Sequence, residues 1–373
     1  MMEAAETRKG TLTDRLIDDE GSLRELVAEI GRSSLVALDT EFVRERTYYP
    51  QLCLVQVATD DVTACVDCLA DLDLAPLFAV LTRPDTTWVL HSGRQDLEVI
   101  HRYANALPAR LIDTQIAAAL AGHAAQIGLR EALSAMLGVD IGKDHTRSDW
   151  SARPLPEGPL RYALDDVRHL LPLWRALEQK LAAAGRLDWV AEDCARLVEE
   201  ATRDDVLAIW FRLKGVQGLS ADERKAALAL VLWRERAAAS LDRPRRWIMS
   251  DELLIRIAQA RPKNIRALAA IPEMPKRLAH RQGAEIIARL AARDDPALEE
   301  MLARAGSGER ADRDALKALQ GKVKARAAEL GIEAEVLASR RDLAAFLRGV
   351  PPPHLASGWR AAELAALGEP TSL

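Results

Sequence analysis

Residues 35–41 read LVALDTE, an apolar run that ends in two acidic residues. The run Leu35–Leu38 is typical of a buried β-strand. Side chains alternate along a strand, so Asp39 and Glu41 point to the same face. Two neighbouring carboxylates are unfavourable in such a place unless a cation or water satisfies them. The motif indicates either a metal-binding strand end or a strand end that opens into solvent.

Further apolar runs beyond this motif predict an alternation of strands and helices. The other predicted strands, rich in β-branched residues, are Cys53–Ala58, Thr63–Val66 and Trp88–Leu90. The predicted helices are Leu74–Leu81, Arg94–Tyr103, Thr114–Ala121 and Leu129–Leu137. A loop rich in Pro and Gly follows at Gly142–Pro159, and a helix is expected from Leu160 to about Ala184. This order predicts an α/β domain built on a mixed sheet.

Two later segments carry further acidic side chains. Asp96 lies in the first turn of the helix that follows His91-Ser-Gly-Arg-Gln. Tyr162 and Asp166 are four residues apart and share a helix face, but Asp165 is also close, so spacing alone does not choose between the aspartates. Asp113 is predicted to be the N-cap of its helix, with a supporting role at a site as the alternative. Taken singly, each acid also fits an ordinary role as a helix-dipole partner or a solvated patch.

After Ala201 the sequence changes to helical patterns separated by Pro and Gly. Predicted helices in this part are Ala221–Ser240, Ser250–Gln259 and Asn264–Ala270. A shorter helical set extends from Pro296 to Leu367. We therefore expect three domains: an α/β domain at residues 1–200, followed by two small helical bundles at residues 201–290 and 291–373.

Charge is distributed unevenly along the chain. Residues 1–200 carry 21 Lys and Arg against 33 Asp and Glu, whereas residues 201–290 carry 18 against 10. Residues 291–373 carry 12 against 13 and are nearly neutral. An acidic part followed by a basic part suggests metal-binding carboxylates in the first and contacts to nucleic-acid phosphates in the second.

The order of the acidic segments resembles the DEDD superfamily of 3′→5′ exonucleases, in its tyrosine-bearing branch, and within it the ribonuclease D family. The resemblance covers roughly residues 10–200 and rests on Leu38–Phe42, Tyr49-Pro50 with Gln56, His91–Asp96, Asp113–Gln115, Arg147–Trp150, Arg153–Leu155 and Tyr162-Ala163. Beyond residue 200, Arg243–Trp247 and Met249–Leu254 resemble the helical domain shared by certain helicases and ribonuclease D. Arg341–Leu343 and Gly358–Arg360 resemble a divergent second copy of that domain.

This resemblance implies a ribonuclease H-like exonuclease domain and a hydrolytic 3′→5′ exoribonuclease that releases 5′-monophosphates. It implies two divalent cations, Mg²⁺ with Mn²⁺ as the alternative, in line with the preference of Mg²⁺ for oxygen ligands. Asp39 would bridge the two ions, Glu41 and Asp166 would complete one site, and Asp96 would hold the second through water. Tyr162 would position the attacking water. The implied substrate is structured RNA with an accessible 3′ end, as in transfer-RNA precursors.

Several basic and aromatic residues are candidates for RNA contacts. In the catalytic part these are Arg94, Lys143, Arg147, Trp150 and Arg153, with a surface ion pair or a loop anchor as the alternative for each. In the basic helical part they are Arg243, Arg245, Arg246, Trp247 and Lys263, accompanied by Arg266, Lys276 and Arg277. Contacts of this kind are directed to the backbone and sensitive to salt.

Other features restrict the class of protein. The sequence has no apolar run of 18 residues and no apolar segment near its start, so neither a membrane span nor a secretory signal is expected. Its four cysteines are too few for a disulfide scaffold, which favours a cytoplasmic protein. Without sustained heptads a monomer is the default. The competing functions are a DNA 3′→5′ exonuclease and a non-catalytic RNA-binding scaffold.

Overall fold

A six-stranded sheet organises the first part of the chain in the computed structural model, which describes residues 14–142, 145, 148–202, 206–292, 296–305 and 312–367. The strands are β1 (Arg15–Ile17), β2 (Leu35–Val43), β3 (Gln51–Ala58), β4 (Thr63–Asp67), β5 (Thr87–Leu90) and β6 (Arg110–Asp113). Their order is β1-β4-β3-β2-β5-β6. The β2–β3 and β3–β4 pairs are antiparallel and the others are parallel, so the predicted mixed sheet is confirmed.

Helices flank this sheet and continue to residue 201. They are α1 (Glu20–Ile30), α2 (Ala75–Leu81), α3 (Arg94–Ala104), α4 (Thr114–Leu120), α5 (Leu129–Leu137), α6 (Glu157–Arg168), α7 (Leu170–Ala183) and α8 (Leu187–Ala201). The single helix predicted from Leu160 is two helices, because the chain breaks at His169. Pro172 cannot donate a backbone hydrogen bond to the preceding turn, which favours a break at this point.

All later elements in the described part of the chain are helical. They are α9 (Val206–Arg212), a 3₁₀ turn at Val216–Gly218, α10 (Ala221–Leu241), α11 (Arg245–Ile248), α12 (Asp251–Ala260), α13 (Ile265–Ala269), α14 (Lys276–Ala291), α15 (Pro296–Ala305), α16 (Arg313–Leu330), α17 (Ala334–Leu337), α18 (Arg340–Leu347), α19 (Pro353–Ala356) and α20 (Gly358–Ala365). Ser250 caps α12 by accepting a hydrogen bond from the Leu253 amide. No helix of the described residues is both long and apolar enough to cross a membrane.

The buried apolar side chains form two large cores. One extends over the sheet and its helices and includes side chains from α16 to α20 near the end of the chain. The other lies within the helical part between Trp210 and Leu298. The boundaries at residues 200 and 290 stay predictions.

The last helices are attached to α8 by a tryptophan stack and an ion-pair cluster. The rings of Trp189 and Trp359 are parallel, with centroids 4.2 Å apart. Asp193 is almost fully buried and accepts hydrogen bonds from the Trp359 indole (3.1 Å) and from both terminal nitrogens of Arg360. A charge buried in this way is stable only because it is fully paired.

We expect Trp359→Ala to lower the free energy of unfolding by about 3–5 kcal/mol, because it leaves a cavity beside Trp189 and removes a hydrogen bond to Asp193. Urea denaturation monitored by far-ultraviolet circular dichroism measures this loss. Trp247→Ala is the matched control, since the Trp247 side chain is 55% exposed. Equal unfolding midpoints for the two variants would contradict the structural role of Trp359.

Candidate active site

Strand β2 carries two of the acidic side chains into the middle of the sheet. It lies between β3 and β5, and its register places Asp39 opposite Gln56 of β3. Asp39 and Glu41 are both half-buried. The strand continues to Val43, so these acids lie within it and not at its end.

Asp96 is held against β2 from the start of α3. Its Oδ1 atom accepts hydrogen bonds from the Thr40 amide (3.0 Å) and the Thr40 hydroxyl (2.5 Å). The turn before α3 is fixed by Asp113, whose carboxylate accepts from the amides of Ser92 (3.0 Å) and Gly93 (2.9 Å). Asp113 also caps α4, as predicted.

Gly93 allows this turn to pack tightly. A Cβ atom at this position would lie 2.5 Å from Leu90 Cδ1. The close approach of strand β5 and helix α3 therefore requires a residue without a side chain.

Helix α6 supplies the remaining members of the cluster. Carboxylate oxygens of Asp39, Glu41 and Asp166 lie within 4.8 Å of one another. The Tyr162 hydroxyl forms a hydrogen bond with Asp166. Asp165 instead pairs with Arg168 at 3.3 Å. The structure thus places Asp166 in the cluster, a choice that spacing alone left open.

Crowding of like charges shifts the acid–base properties of the cluster. Burial, with the negative charges of Asp166 and Asp96, raises the pKa of Glu41 to about 8. Burial also raises the pKa of Asp166 to about 7, although the hydrogen bond from Tyr162 opposes the shift. The pKa of Asp39 is raised well above its ordinary value by burial and by all three neighbouring carboxylates. Each shift reflects the penalty of ionising a desolvated acid beside other acids.

Tyr162 keeps its phenolic proton beside these carboxylates. Burial and the charges of Asp166 and Glu41 raise the pKa of the Tyr162 phenol. The phenol is therefore suited to orienting an oxygen by hydrogen bonding and unsuited to acting as a base.

Comparisons with known proteins agree with this geometry. A family model for 3′-5′ exonucleases matches residues 15–182, and one for the HRDC domain matches residues 223–290. Ribonuclease D of Xanthomonas oryzae is 36% identical over 96% of both chains. Ribonuclease D of Gluconacetobacter diazotrophicus is 42% identical over 72% of this chain and 68% of its own. The chain belongs to the ribonuclease D family.

A solved structure supports the same assignment over almost the whole length. Escherichia coli RNase D, described as an exoribonuclease involved in structured RNA processing, aligns with a TM-score of 0.79 at 29% identity. The alignment covers 95% of this chain and 97% of that one. As a ribonuclease D family member, the protein is a 3′→5′ exoribonuclease.

Two residues expected to contact RNA have internal roles in this member of the family. Trp150 is 3% exposed and packs with Cys53, Leu54 and Cys65, so its ring is not available to stack on a base. Arg153 uses all its N–H groups inside the protein. It forms a bidentate ion pair with Asp67 (both 2.6 Å) and donates to the carbonyls of Trp150, Ala152 and Cys53. An acidic partner 86 residues earlier in the chain thus occupies the Arg153 guanidinium, which is the ion-pair alternative expected for this residue.

The other candidates of the catalytic part have different outcomes. Arg94 is partly exposed and lies 3.7 Å from Glu98 and 4.0 Å from Glu200 in ion pairs. Lys143 and Arg147 lie outside the described residues. Their roles, and that of Arg94, stay predictions.

In the helical part of this ribonuclease D relative, most of the predicted basic residues are exposed. These are Arg243, Arg246, Lys263, Arg266, Lys276 and Arg277, together with the aromatic ring of Trp247. Arg245 is half-buried and binds Glu235 (2.8 Å) beside the Tyr48 ring. Tyr48 in turn donates its hydroxyl to Glu235 (3.2 Å), so Arg245 holds the helical part against the catalytic domain.

A cleft that the sequence did not reveal lies at this junction. The cleft has a volume of about 590 Å³ and is lined from the catalytic side by Arg44, Glu45, Thr47 and Tyr48. Its other wall includes Arg212, Arg245, Arg246 and Glu252. No periodicity or motif links Arg44 to Arg212, because their proximity depends on how the two parts pack.

We expect the metal-free protein to lose stability as the pH rises from about 5 to about 9. The pKa of Glu41 rises from 4.5 to about 8 on folding, so the folded chain holds a proton that the unfolded chain has released. Stability therefore falls as this proton is removed. Glu41→Gln should raise the Tm in EDTA at about pH 8.5 and change it little at about pH 5. Differential scanning calorimetry measures both values.

Glu25→Gln is the control for this experiment, because Glu25 is exposed on α1, outside the cluster. It should leave the pH dependence of the Tm unchanged. A Glu41→Gln variant with no greater gain at high pH than at low pH would show that crowding does not strain the folded state.

Proposed function

We propose that this protein removes nucleotides hydrolytically from RNA 3′ ends with two divalent cations and releases 5′-monophosphates. The observation that carries the proposal is the cluster of Asp39, Glu41 and Asp166 oxygens within 4.8 Å, completed by Asp96 beside Thr40. Structured RNA, in particular transfer-RNA precursors, is the proposed substrate. The Escherichia coli relative is described as acting in structured RNA processing, which supports this choice.

The chemistry of the cluster fits divalent cations with oxygen ligands. Among the described residues, none of the four carboxylates forms an ion pair with Lys, Arg or His. Their raised pKa values express unrelieved repulsion, which bound cations would relieve. The set contains only oxygen donors, which suits Mg²⁺ or Mn²⁺ better than softer metals.

Asp39, Glu41, Asp96 and Asp166 would hold the cations. Two cations in such a site stabilise the attacking and the leaving oxygens of a phosphodiester. Thr40 keeps the Asp96 carboxylate in one orientation through two hydrogen bonds. The Tyr162 hydroxyl, whose proton is directed to Asp166, would accept a hydrogen bond from the attacking water and so orient it. Because Tyr162 stays protonated, its role is orientation and not proton abstraction.

The exposed basic residues of the helical part would bind the RNA backbone. Arg44, Arg212 and Arg246 line the junction cleft, and none of them pairs with a carboxylate among the described residues. Arg44 directly follows strand β2, so the cleft begins three residues from Glu41. An RNA whose 3′ end entered the acidic cluster would have its upstream phosphates near these arginines. The exposed Trp247 adds a surface on which a base can stack.

We further propose that the chain divides into a catalytic domain at residues 1–200, a basic RNA-binding domain at residues 201–290 and a second helical domain at residues 291–373. The enzyme acts as a monomer. It acts in the cytoplasm, which its four cysteines, too few for a disulfide scaffold, favour.

We expect Asp39→Asn to slow nucleotide release from a labelled RNA by at least about 100-fold in the presence of Mg²⁺, because cation binding contributes several kcal/mol to the transition state. Asp166→Asn should behave similarly. Asp165→Asn is the matched control, since Asp165 pairs with Arg168 and should leave the rate within about twofold. Chromatographic analysis of the products identifies the 5′-monophosphate.

Undiminished release by Asp39→Asn would contradict the metal-dependent mechanism. The same assay on matched RNA and DNA oligonucleotides tests the choice of substrate. Faster degradation of the DNA would favour a DNA exonuclease, and no degradation of either would favour a binding scaffold.

We expect Arg246→Ala and Trp247→Ala to weaken RNA binding in different ways. Loss of a phosphate contact should reduce the slope of log Kd against log salt by about 0.7 for a single strand, whereas loss of stacking should leave the slope unchanged. Fluorescence anisotropy with a catalytically silent Asp39→Asn background measures both. Arg175→Ala, which removes an exposed ion pair with Asp60, is the control. Identical slopes for all variants would exclude Arg246 from phosphate binding.

A further inference from the structure

Gln56 is a buried amide that has no hydrogen-bond partner in the part of the chain that the structure describes. Its side chain in β3 is 0% exposed, and neither its Nε2 nor its Oε1 atom is paired among the described residues. Buried amides are nearly always hydrogen bonded, because removing them from water without compensation is unfavourable. The groups beside Gln56 determine what it can bind.

The strand register places Gln56 in the row that contains Asp39. Gln56 is directly opposite Asp39 of β2 on one side and Cys65 of β4 on the other. Opposite residues of antiparallel strands direct their side chains to the same face, with Cβ atoms about 4.5–5.5 Å apart. A glutamine amide and an aspartate carboxylate can meet across such a distance.

Helix α6 covers this face of the sheet. It packs on β2, β3 and β4 and carries Asp166, whose carboxylate lies within 4.8 Å of that of Asp39. Ala163 and Leu164 of the same helix pack with Cys65. The Gln56 amide is thus enclosed between the sheet and the helix that completes the acidic cluster.

Asp39 is the acceptor directly opposite this amide in the strand register. The backbone groups on both sides of β3 are engaged in the sheet, and the Cys65 thiol is a weak hydrogen-bonding group. Asp96 already accepts two hydrogen bonds from Thr40. The charged neighbours of Asp39 are carboxyl groups, whereas Gln56 offers a neutral amide N–H on the same face.

We propose that Gln56 is a positioning residue whose amide N–H, unpaired among the described residues, donates to the Asp39 carboxylate when cations bind there and fixes the direction in which its oxygens face them. Gln56 would do for Asp39 what Thr40 does for Asp96. Such hydrogen bonds to ligating carboxylates typically change metal affinity or activity by about 10- to 100-fold. This inference rests on the proposed two-cation function.

Two variants test the role of the amide. Gln56→Leu removes both polar atoms and Gln56→Met does so with an unbranched chain, which guards against a packing defect of either one. Gln51→Leu is the matched control, because Gln51 is an exposed glutamine of the same strand. The readouts are Mn²⁺ affinity by isothermal titration calorimetry without RNA, Tm in EDTA, and the rate of nucleotide release.

We expect Gln56→Leu and Gln56→Met to weaken Mn²⁺ binding by about 10-fold or more. Gln56→Leu and Gln56→Met should keep or raise the Tm in EDTA, since each removes an unpaired buried amide. Nucleotide release should fall in parallel with affinity, and Gln51→Leu should match the wild type. Mn²⁺ affinities within about twofold of wild type in the folded Gln56 variants would overturn the proposal. A loss of affinity that only follows a loss of Tm would do the same.

Failure of the proposed function has a different signature. If the wild-type protein binds no Mn²⁺ and releases no nucleotide, the two-cation function is wrong. If the wild type does both and the Gln56 variants equal it, only the role of Gln56 is wrong.

Discussion

Repulsion among four carboxylates is the constraint on which the rest of this structure depends. Asp39, Glu41, Asp96 and Asp166 form a partly buried cluster, and none of them is paired with a cationic side chain among the described residues. The fold holds these acids together against their own charges, and their raised pKa values express that strain. A protein selected for stability alone would place a lysine or arginine here. The arrangement suits a site that receives its compensating charge from cations outside the chain.

The sheet order explains how acids from distant segments come together. Parallel pairing of β2 with β5 places the start of α3, and hence Asp96, beside Thr40. Asp113 at the end of β6 then fixes the turn that begins α3. Helix α6 crosses β2, β3 and β4 and adds Asp166. The four acids are positioned by three elements, β2, α3 and α6, so small errors in the packing of any one would open the cluster.

Much of this could be predicted because local patterns determine local structure. Period-two alternation placed Asp39 and Glu41 on one face, and helical periodicity gave α3, α4 and α5 almost to the residue. The short strands β1 and β6 were missed, because three or four residues carry too little pattern. Arg153 was a candidate either for RNA contact or for an ion pair, and the structure shows an ion pair with Asp67. The sequence could not choose between the two, because a guanidinium binds a phosphate and an internal carboxylate with the same geometry. Only the fold reveals that Asp67 lies within reach of Arg153.

Because a guanidinium can bind either a phosphate or a carboxylate, the excess of basic residues in the helical part does not all indicate RNA binding. Arg234 and Arg245 belong to the excess of positive charge, yet they pair with Asp251 and Glu235 and hold the structure together. The charge that would remain for RNA lies on exposed residues such as Arg243 and Arg246, and on Arg44 from the acidic domain. Because Arg44 follows β2 without a break, the strand that bears the carboxylates also leads into the junction cleft. In the proposed function, catalysis and binding would thus be joined through one strand, although the sequence separates their charges by some 200 residues.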